Sequence, residues 1–298
     1  MARIRFDRLP TERANPRSRA LDRLAPAAIA RLMNRADQEA LRAVGRAAPA
    51  IGAVVTAIVE RLAGGGRLIF VGAGTSGRLG VIEAAECPPT FNTPARLVQA
   101  VMAGGRGAVF RSVEGSEDDD RAGALAMRRR VRRGDAVVGI AASGVTPFVR
   151  AALAEAGKRG AFTALVTCNP GAPRRSARVV IALWVGPEVL AGSTRLKAGT
   201  ATKLALNTIT TATFTRLGKV HGNRMVDLQP KSAKLRARAE RLVAELGAVS
   251  RPRARRLLLE AGWSAKVAIV MARRRESAAL ARRRLAVARG FLGRALES

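Results

Sequence analysis

The chain has 298 residues, 48% of them hydrophobic, with 53 Lys/Arg against 22 Asp/Glu and a net charge of +31. That composition excludes a disordered chain and allows one large domain or two small ones. Tyr is absent, aromatics are scarce, and Cys87, Cys168 and His221 are the only Cys and His residues, so base-stacking platforms, Cys/His metal sites and a disulfide framework are not expected.

The cations are overwhelmingly Arg and accompany abundant Ala, Gly and Val, which fits a coding bias better than a nucleic-acid face. No specific nucleic-acid partner is expected. Residues 1–20 are polar, carry Pro10 and Pro16, lack the apolar core of a signal peptide, and read as an extended arm. No uncharged apolar run reaches about 18 residues, so no membrane span is expected. Both cysteines are expected to stay reduced, as in a cytoplasm.

Leu21 to Leu62 repeats apolar residues at helical spacing, as at Ile51, Val54, Val55, Ile58 and Leu62, and Gly64-Gly65-Gly66 ends it. From Arg67 short apolar runs alternate with helical stretches. The expected strands are Leu68–Val71, Leu97–Met102, Ala136–Ala141, Phe162–Thr167 and Val179–Trp184. The expected helices between them include Arg78–Cys87, Ala108–Val113, Arg121–Val131 and Pro147–Lys158. This rhythm predicts an α/β fold with a parallel sheet covered by helices. A long helix, Arg195–Leu217, and a polar connector, His221–Leu235, follow. The remainder reads as short amphipathic helices, and residues 231–298 hold 18 Lys/Arg against 5 Asp/Glu. The expected division is an arm with helices (1–66), a sheet domain (67–220), the connector (221–235) and a small helical domain (236–298).

Ligands of such sheets bind beyond the carboxyl ends of the strands. The first loop there, Gly72-Ala73-Gly74-Thr75-Ser76-Gly77, brings backbone N–H groups, a helix N-terminus and two hydroxyls together, which suits a phosphate. Its glycine spacing also matches a dinucleotide loop, but no acid ends the second strand, and no Gly-Lys-Ser/Thr completes a Walker loop. The second loop, Ser143-Gly144-Val145-Thr146-Pro147, repeats the arrangement. The competing reading is that these hydroxyls only cap helices.

Two carboxylates stand out. Glu86 is expected near the end of a helix that stops at Pro88-Pro89. A helix C-terminus and partial burial both favour a protonated acid, which suits proton donation. Glu117 lies in the crowded acidic run Val113–Asp120, whose other acids read as a solvated helix start. Glu83, one turn before Glu86, reads as its partner or as a surface residue.

The runs VGAGTSGRLGVIEAAECPPTF, VEGSEDD, GIAASGVTP, TCNPGAP, VGPEVLAGSTRLKAGTATKLALN and GKVHGNRMVD resemble the N-acetylmuramic acid 6-phosphate etherases, a group within the sugar isomerase (SIS) fold. The likeness extends from TERANP at Thr11 to KVAIVMA at Ala272. It implies a lyase that splits a lactyl ether by elimination and hydration. It also implies a homodimer, a sugar-phosphate ligand, no metal or other cofactor, and a C-terminal all-α domain like a ubiquitin-associated fold. By the matched motifs, Glu86 and Glu117 are the catalytic pair. Thr75, Ser76, Ser143 and Thr146 bind phosphate, and Glu188, Ser193 and Lys197 belong to a loop that closes over ligand. Val145, Thr167, Ala172 and Ser232 depart from the family pattern. A sugar-phosphate sensor and an aldose–ketose isomerase on the same fold are the alternatives.

Overall fold

A computed structural model describes residues 9–172, 177–228, 230 and 232–297. Residues 1–8 of the arm, and Gln229 and Lys231 of the connector, lie outside the described residues. Five parallel strands form the main sheet: β1 (Leu68–Gly72), β2 (Val98–Met102), β3 (Ala136–Ile140), β4 (Phe162–Thr167) and β5 (Val179–Ala182), in the order β2-β1-β3-β4-β5. Every residue of β1, β3 and β4 is buried, as expected of strands covered on both faces. The chain has α1 (Pro26–Arg46), α2 (Ala48–Ala63), α3 (Gly74–Phe91), α4 (Asp120–Arg130), α5 (Pro147–Lys158) and α6 (Lys197–Arg216) around these strands. Among the described residues no single helix is long and apolar enough to cross a membrane.

Contacts divide the chain into two units, residues 1–85 with 96–210, and residues 86–95 with 211–298. In the first, α4 and α5 bury one sheet face with Ile69, Val71, Val137, Leu165, Met127 and Phe148. α3 crosses the other face, where Gly80 rides over Phe70 and Ile140; a Cβ there would lie 3.0 Å from the Phe70 side chain. The starts of β1 and β3 are locked by buried Asp135. Its carboxylate accepts from the Arg67 backbone N–H (2.9 Å), the Arg67 guanidinium (2.6 Å) and the Arg132 N–H (2.9 Å). This clamp fixes the register on which both strand-end loops depend.

The second unit continues with a short antiparallel pair, β6 (Val220–His221) and β7 (Arg224–Met225), then α7 (Ala233–Gly247), α8 (Arg251–Glu260), α9 (Ala265–Arg274), α10 (Ala278–Val287) and α11 (Leu292–Glu297). Its all-helical core centres on Leu242, Val243, Leu258, Ile269, Val270 and Leu292. Ser232, Ser264 and Ser277 cap α7, α9 and α10 through their hydroxyls. Ser232 therefore supplies the acceptor its position needs. His221, in β6, lies against Gly293 in the first turn of α11 and so packs beside a helix end.

Three sequence expectations fail locally. The arm is not simply extended: it turns through 3-10 segments at Pro10–Glu12 and Pro16–Ser18, with another at Leu21–Arg23 just beyond it, before α1 begins. Only Arg106–Val109 of the region around Ala108–Val113 is helical, as one 3-10 turn. α3 runs through Pro88 and Pro89 to Phe91, whose ring stacks on Phe214 at 4.7 Å. The prolines withhold the N–H groups that would reach the Ala84 and Ala85 carbonyls, yet the helix continues.

Candidate active site

β1 and β3 are neighbours whose following connections run to opposite sides of the sheet, β1 to β2 and β3 to β4. A parallel sheet opens a crevice at the carboxyl ends of such a pair. A cleft of about 460 Å³ lies there, lined by Thr75 and Ser76 from the first loop, Ser143 and Thr146 from the second, and Glu117.

The first loop is shaped by close packing. A Cβ on Gly72 would lie 2.7 Å from the Gly77 nitrogen, and one on Gly77 would lie 2.8 Å from the Gly72 oxygen. Only glycines permit that strand-to-helix turn, and Gly74 takes φ +53°. The second loop is braced from the end of β4. Thr167 Oγ1 donates to the Ala142 carbonyl (3.1 Å), and Asn169 Nδ2 donates to the Ser143 carbonyl (3.0 Å). Gly144 has φ +72°, and a Cβ on it would collide with the Ala172 Cβ. Thr167 thus keeps a hydroxyl that the loop uses, and Ala172 fills the space beside Gly144. Val145 is buried, and its N–H donates to Ser143 Oγ at 3.3 Å.

Capping does not account for Thr146. It is the N-cap of α5, yet its side chain makes no capping hydrogen bond. Its Oγ1 lies 3.5 Å from Ser143 Oγ, so the two hydroxyls sit together in the cleft. Among the described residues, none of those lining the cleft is Lys or Arg. An anion there is met by hydroxyls and by the N-terminal ends of α3 and α5.

Glu117 enters through the backbone. The Phe148 N–H, in the first turn of α5, donates to the Glu117 carbonyl at 3.0 Å. This bond ties the acidic loop to the second hydroxyl loop. Arg78 secures the preceding segment by donating to the Val109 (2.8 Å) and Ala108 (2.9 Å) carbonyls. Glu114 is not in the cleft; it accepts from Ser112 Oγ at 2.8 Å. Asp119 caps α4 through the Ala122 N–H, the helix-start role expected of it.

Residues 50–156 match the family described as the glucokinase regulatory protein N-terminal SIS domain. An N-acetylmuramic acid 6-phosphate etherase from Thermosynechococcus vestitus is 49% identical over 88% of this chain and 86% of its own length. Another from Geobacillus thermodenitrificans is 45% identical over 98% of this chain and 100% of its own length. The chain belongs to the N-acetylmuramic acid 6-phosphate etherase family. Among solved structures, a phosphoheptose isomerase from Francisella tularensis is 17% identical, covering 64% of this chain and 98% of that chain, at TM-score 0.47.

Against the expectations drawn from this etherase family, the cleft gathers Thr75, Ser76, Ser143, Thr146 and Glu117. Glu86 is not among the residues that line this cleft: it lies ten residues beyond Ser76 on α3 and is exposed, not partly buried. The helix continues five residues past it, so Glu86 does not sit at the expected helix C-terminus. Glu83, one turn earlier, is buried and structural: it receives Lys203 Nζ at 2.8 Å and the Thr210 hydroxyl, pinning α3 to α6.

Glu188 and Lys197 are corrected too. Glu188 is fully buried and caps α6, accepting from the Lys197 (3.0 Å) and Ala198 (2.9 Å) N–H groups. Burial pushes its pKa up, against the pull of those two bonds. Lys197 Nζ is spent on Glu39 and the Val185 carbonyl, each at 2.7 Å. Ser193 is half-buried between Gly192 and Thr194, which do line the cleft. The Cys168 thiol is pushed up to about 12, chiefly by burial and then by Glu188, and is inert as a nucleophile near neutrality. Asp118, read from the sequence as part of a solvated helix start, lines the cleft beside Glu117, and sequence reasoning missed Thr11 and Glu12 there as well, whose only signal was the TERANP motif.

Proposed function

We propose that the strand-end cleft binds a 6-phosphosugar and that Glu86 and Glu117 divide the proton transfers of a lyase reaction. The chain cleaves the D-lactyl ether of N-acetylmuramic acid 6-phosphate with water, giving N-acetylglucosamine 6-phosphate and D-lactate in peptidoglycan amino-sugar recycling. The observation that carries the site assignment is the convergence of both hydroxyl loops and Glu117 on one cleft.

The chemistry follows from the open-chain sugar. Its C1 aldehyde acidifies the C2 proton, and the lactyl ether oxygen on C3 is a β-leaving group. Glu117 takes the C2 proton. The electron pair forms the C2–C3 double bond, and the C3–O bond breaks as Glu86 protonates the departing lactate. Water then adds at C3 of the unsaturated aldehyde, and a proton returns to C2. Thr75, Ser76, Ser143 and Thr146 hold the phosphate through hydroxyl donation, which fixes the sugar relative to Glu117. General acid and base groups contribute about 10²–10⁴-fold each.

The proposed assembly is a cytoplasmic homodimer, with the sugar phosphate bound in the sheet domain (67–220). The shared name of relatives 45–49% identical, and the presence of both glutamates, favour the lyase over a sensor or an isomerase. The test is D-lactate release from N-acetylmuramic acid 6-phosphate by purified protein. Wild type releases lactate, whereas Glu86→Ala and Glu117→Ala stay folded and release it about 10²–10⁴-fold more slowly. Folded wild type that releases none would sink the reading.

A further inference from the structure

One wall of the cleft comes from a part of the chain that the proposed chemistry leaves unused. Leu9, Thr11 and Glu12 line it beside Gly192 and Thr194. The arm is seated there by specific bonds. The Gly192 N–H donates to the Thr11 carbonyl at 3.0 Å, and Asn15 Nδ2 donates to the Pro187 carbonyl at 3.3 Å. Thr11 is 1% exposed, and Leu9 is buried as well. The Glu12 N–H closes the turn on the Leu9 carbonyl at 3.1 Å.

Glu12 itself remains exposed in the cleft. Gly192, at φ +78°, makes room for it: a Cβ at that position would lie 3.1 Å from Glu12 Oε2. The only side chain meeting its carboxylate among the described hydrogen bonds is Thr11, with Oγ1 at 3.5 Å from Oε1, at the outer edge of bonding distance. The carboxylate therefore retains nearly all its acceptor capacity.

An ionised carboxylate accepts hydrogen bonds and donates none. The substrate class proposed above carries two anions, the phosphate and the lactyl carboxylate, and both are repelled by Glu12. Its neutral donors are the sugar hydroxyls and the acetamido N–H. We propose that Glu12 is a substrate-recognition residue, accepting from a hydroxyl or the acetamido N–H of the phosphosugar. It orients the sugar body while the hydroxyl loops hold the phosphate. This inference rests on the reading of the cleft as the sugar-phosphate site.

The experiment compares wild type with Glu12→Ala and Glu12→Gln. Hydrogen bonds to a charged group are the stronger class, so Glu12→Ala raises KM about tenfold to a hundredfold with kcat little changed, and Glu12→Gln falls between. Inhibition by inorganic phosphate stays at the wild-type level, because the phosphate loops are intact. Binding of N-acetylglucosamine 6-phosphate, measured by calorimetry, weakens by the same factor as KM rises. An unchanged KM in both variants overturns the proposal. So does a parallel loss of phosphate inhibition, which would make the arm a general support of the cleft, or a fall in kcat alone. If wild type releases no lactate yet binds N-acetylglucosamine 6-phosphate in a Glu12-dependent way, the recognition role stands and the reaction assignment falls.

Discussion

The strand-end cleft and the helices after residue 232 treat charge in contrasting ways. Residues 231–298 carry 18 Lys/Arg against 5 Asp/Glu, and many of the arginines point to solvent or pair locally, as Arg284 does with Glu276 and Arg255 with Glu240. Among the described residues lining the cleft there is no cation, and hydroxyls with helix N-termini face the space instead. The charge of the chain therefore does not point to its site. A phosphate is recognised by directed donors in a fixed loop, whereas a solvated arginine face supplies a diffuse field that salt screens within about 8 Å at physiological ionic strength. A buried cation of the helical unit reinforces the contrast. Lys266 is buried against Asp227 at 2.9 Å and the Gly218 and Gly290 carbonyls, each at 3.0 Å, and burial lowers its pKa. It holds structure and offers nothing to a ligand.

This contrast can be broken by mutation. The largest effect is expected in the sheet unit's acidic loop, where Glu117→Ala lowers kcat by about 10²–10⁴-fold while the denaturant midpoint stays near wild type. Next comes the clamp beneath the loops. Asp135→Ala leaves the Arg67 charge without its partner and costs about 3–5 kcal/mol of stability, read by chemical denaturation. Ser143→Ala removes one donor to a charged phosphate and raises KM about tenfold or more, with kcat less affected.

A smaller effect concerns pH. The pKa of Glu188 in the folded state is raised above its ordinary 4.5, so the folded protein binds that proton more tightly than the unfolded chain. The contribution is fully present below 4.5 and is lost as pH rises through the raised value. The stability of wild type relative to Glu188→Gln should therefore fall with pH across that window, as measured by thermal unfolding. The smallest effect sharpens the comparison from the other side. Arg253→Gln with Arg256→Gln removes two cations from α8 and leaves KM within about twofold, since screened surface charges contribute little. A tenfold rise in KM would show that the basic helices share in binding after all.

Much of this was legible in the chain. The strands were visible because fully buried parallel strands are continuous apolar runs, and Phe162–Thr167 and Pro147–Lys158 match the structure residue for residue. Thr75, Ser76, Ser143 and Thr146 were legible because glycine and hydroxyl residues follow strands there. The environments of the carboxylates were not. Proline argued for a helix end before Pro88, but stacking of Phe91 on Phe214 accompanies a helix that continues. Glu188 and Lys197 were expected at the ligand because the family resemblance put them in a loop that closes over it; their burial depends on α6 and α1, which local pattern does not reveal. Glu12 was invisible for the same reason, since a short polar arm gives no periodic signal and its place is set by Gly192 and Pro187, far along the chain.

The most direct test of the account is turnover of N-acetylmuramic acid 6-phosphate in deuterium oxide, with the product examined by NMR and mass spectrometry. Base removal at C2 followed by elimination and hydration predicts D-lactate together with N-acetylglucosamine 6-phosphate carrying deuterium at C2. Lactate release with protium retained at C2 would contradict it, because the C3–O bond would then break without the carbanion chemistry for which Glu117 and the phosphate-holding loops are assigned.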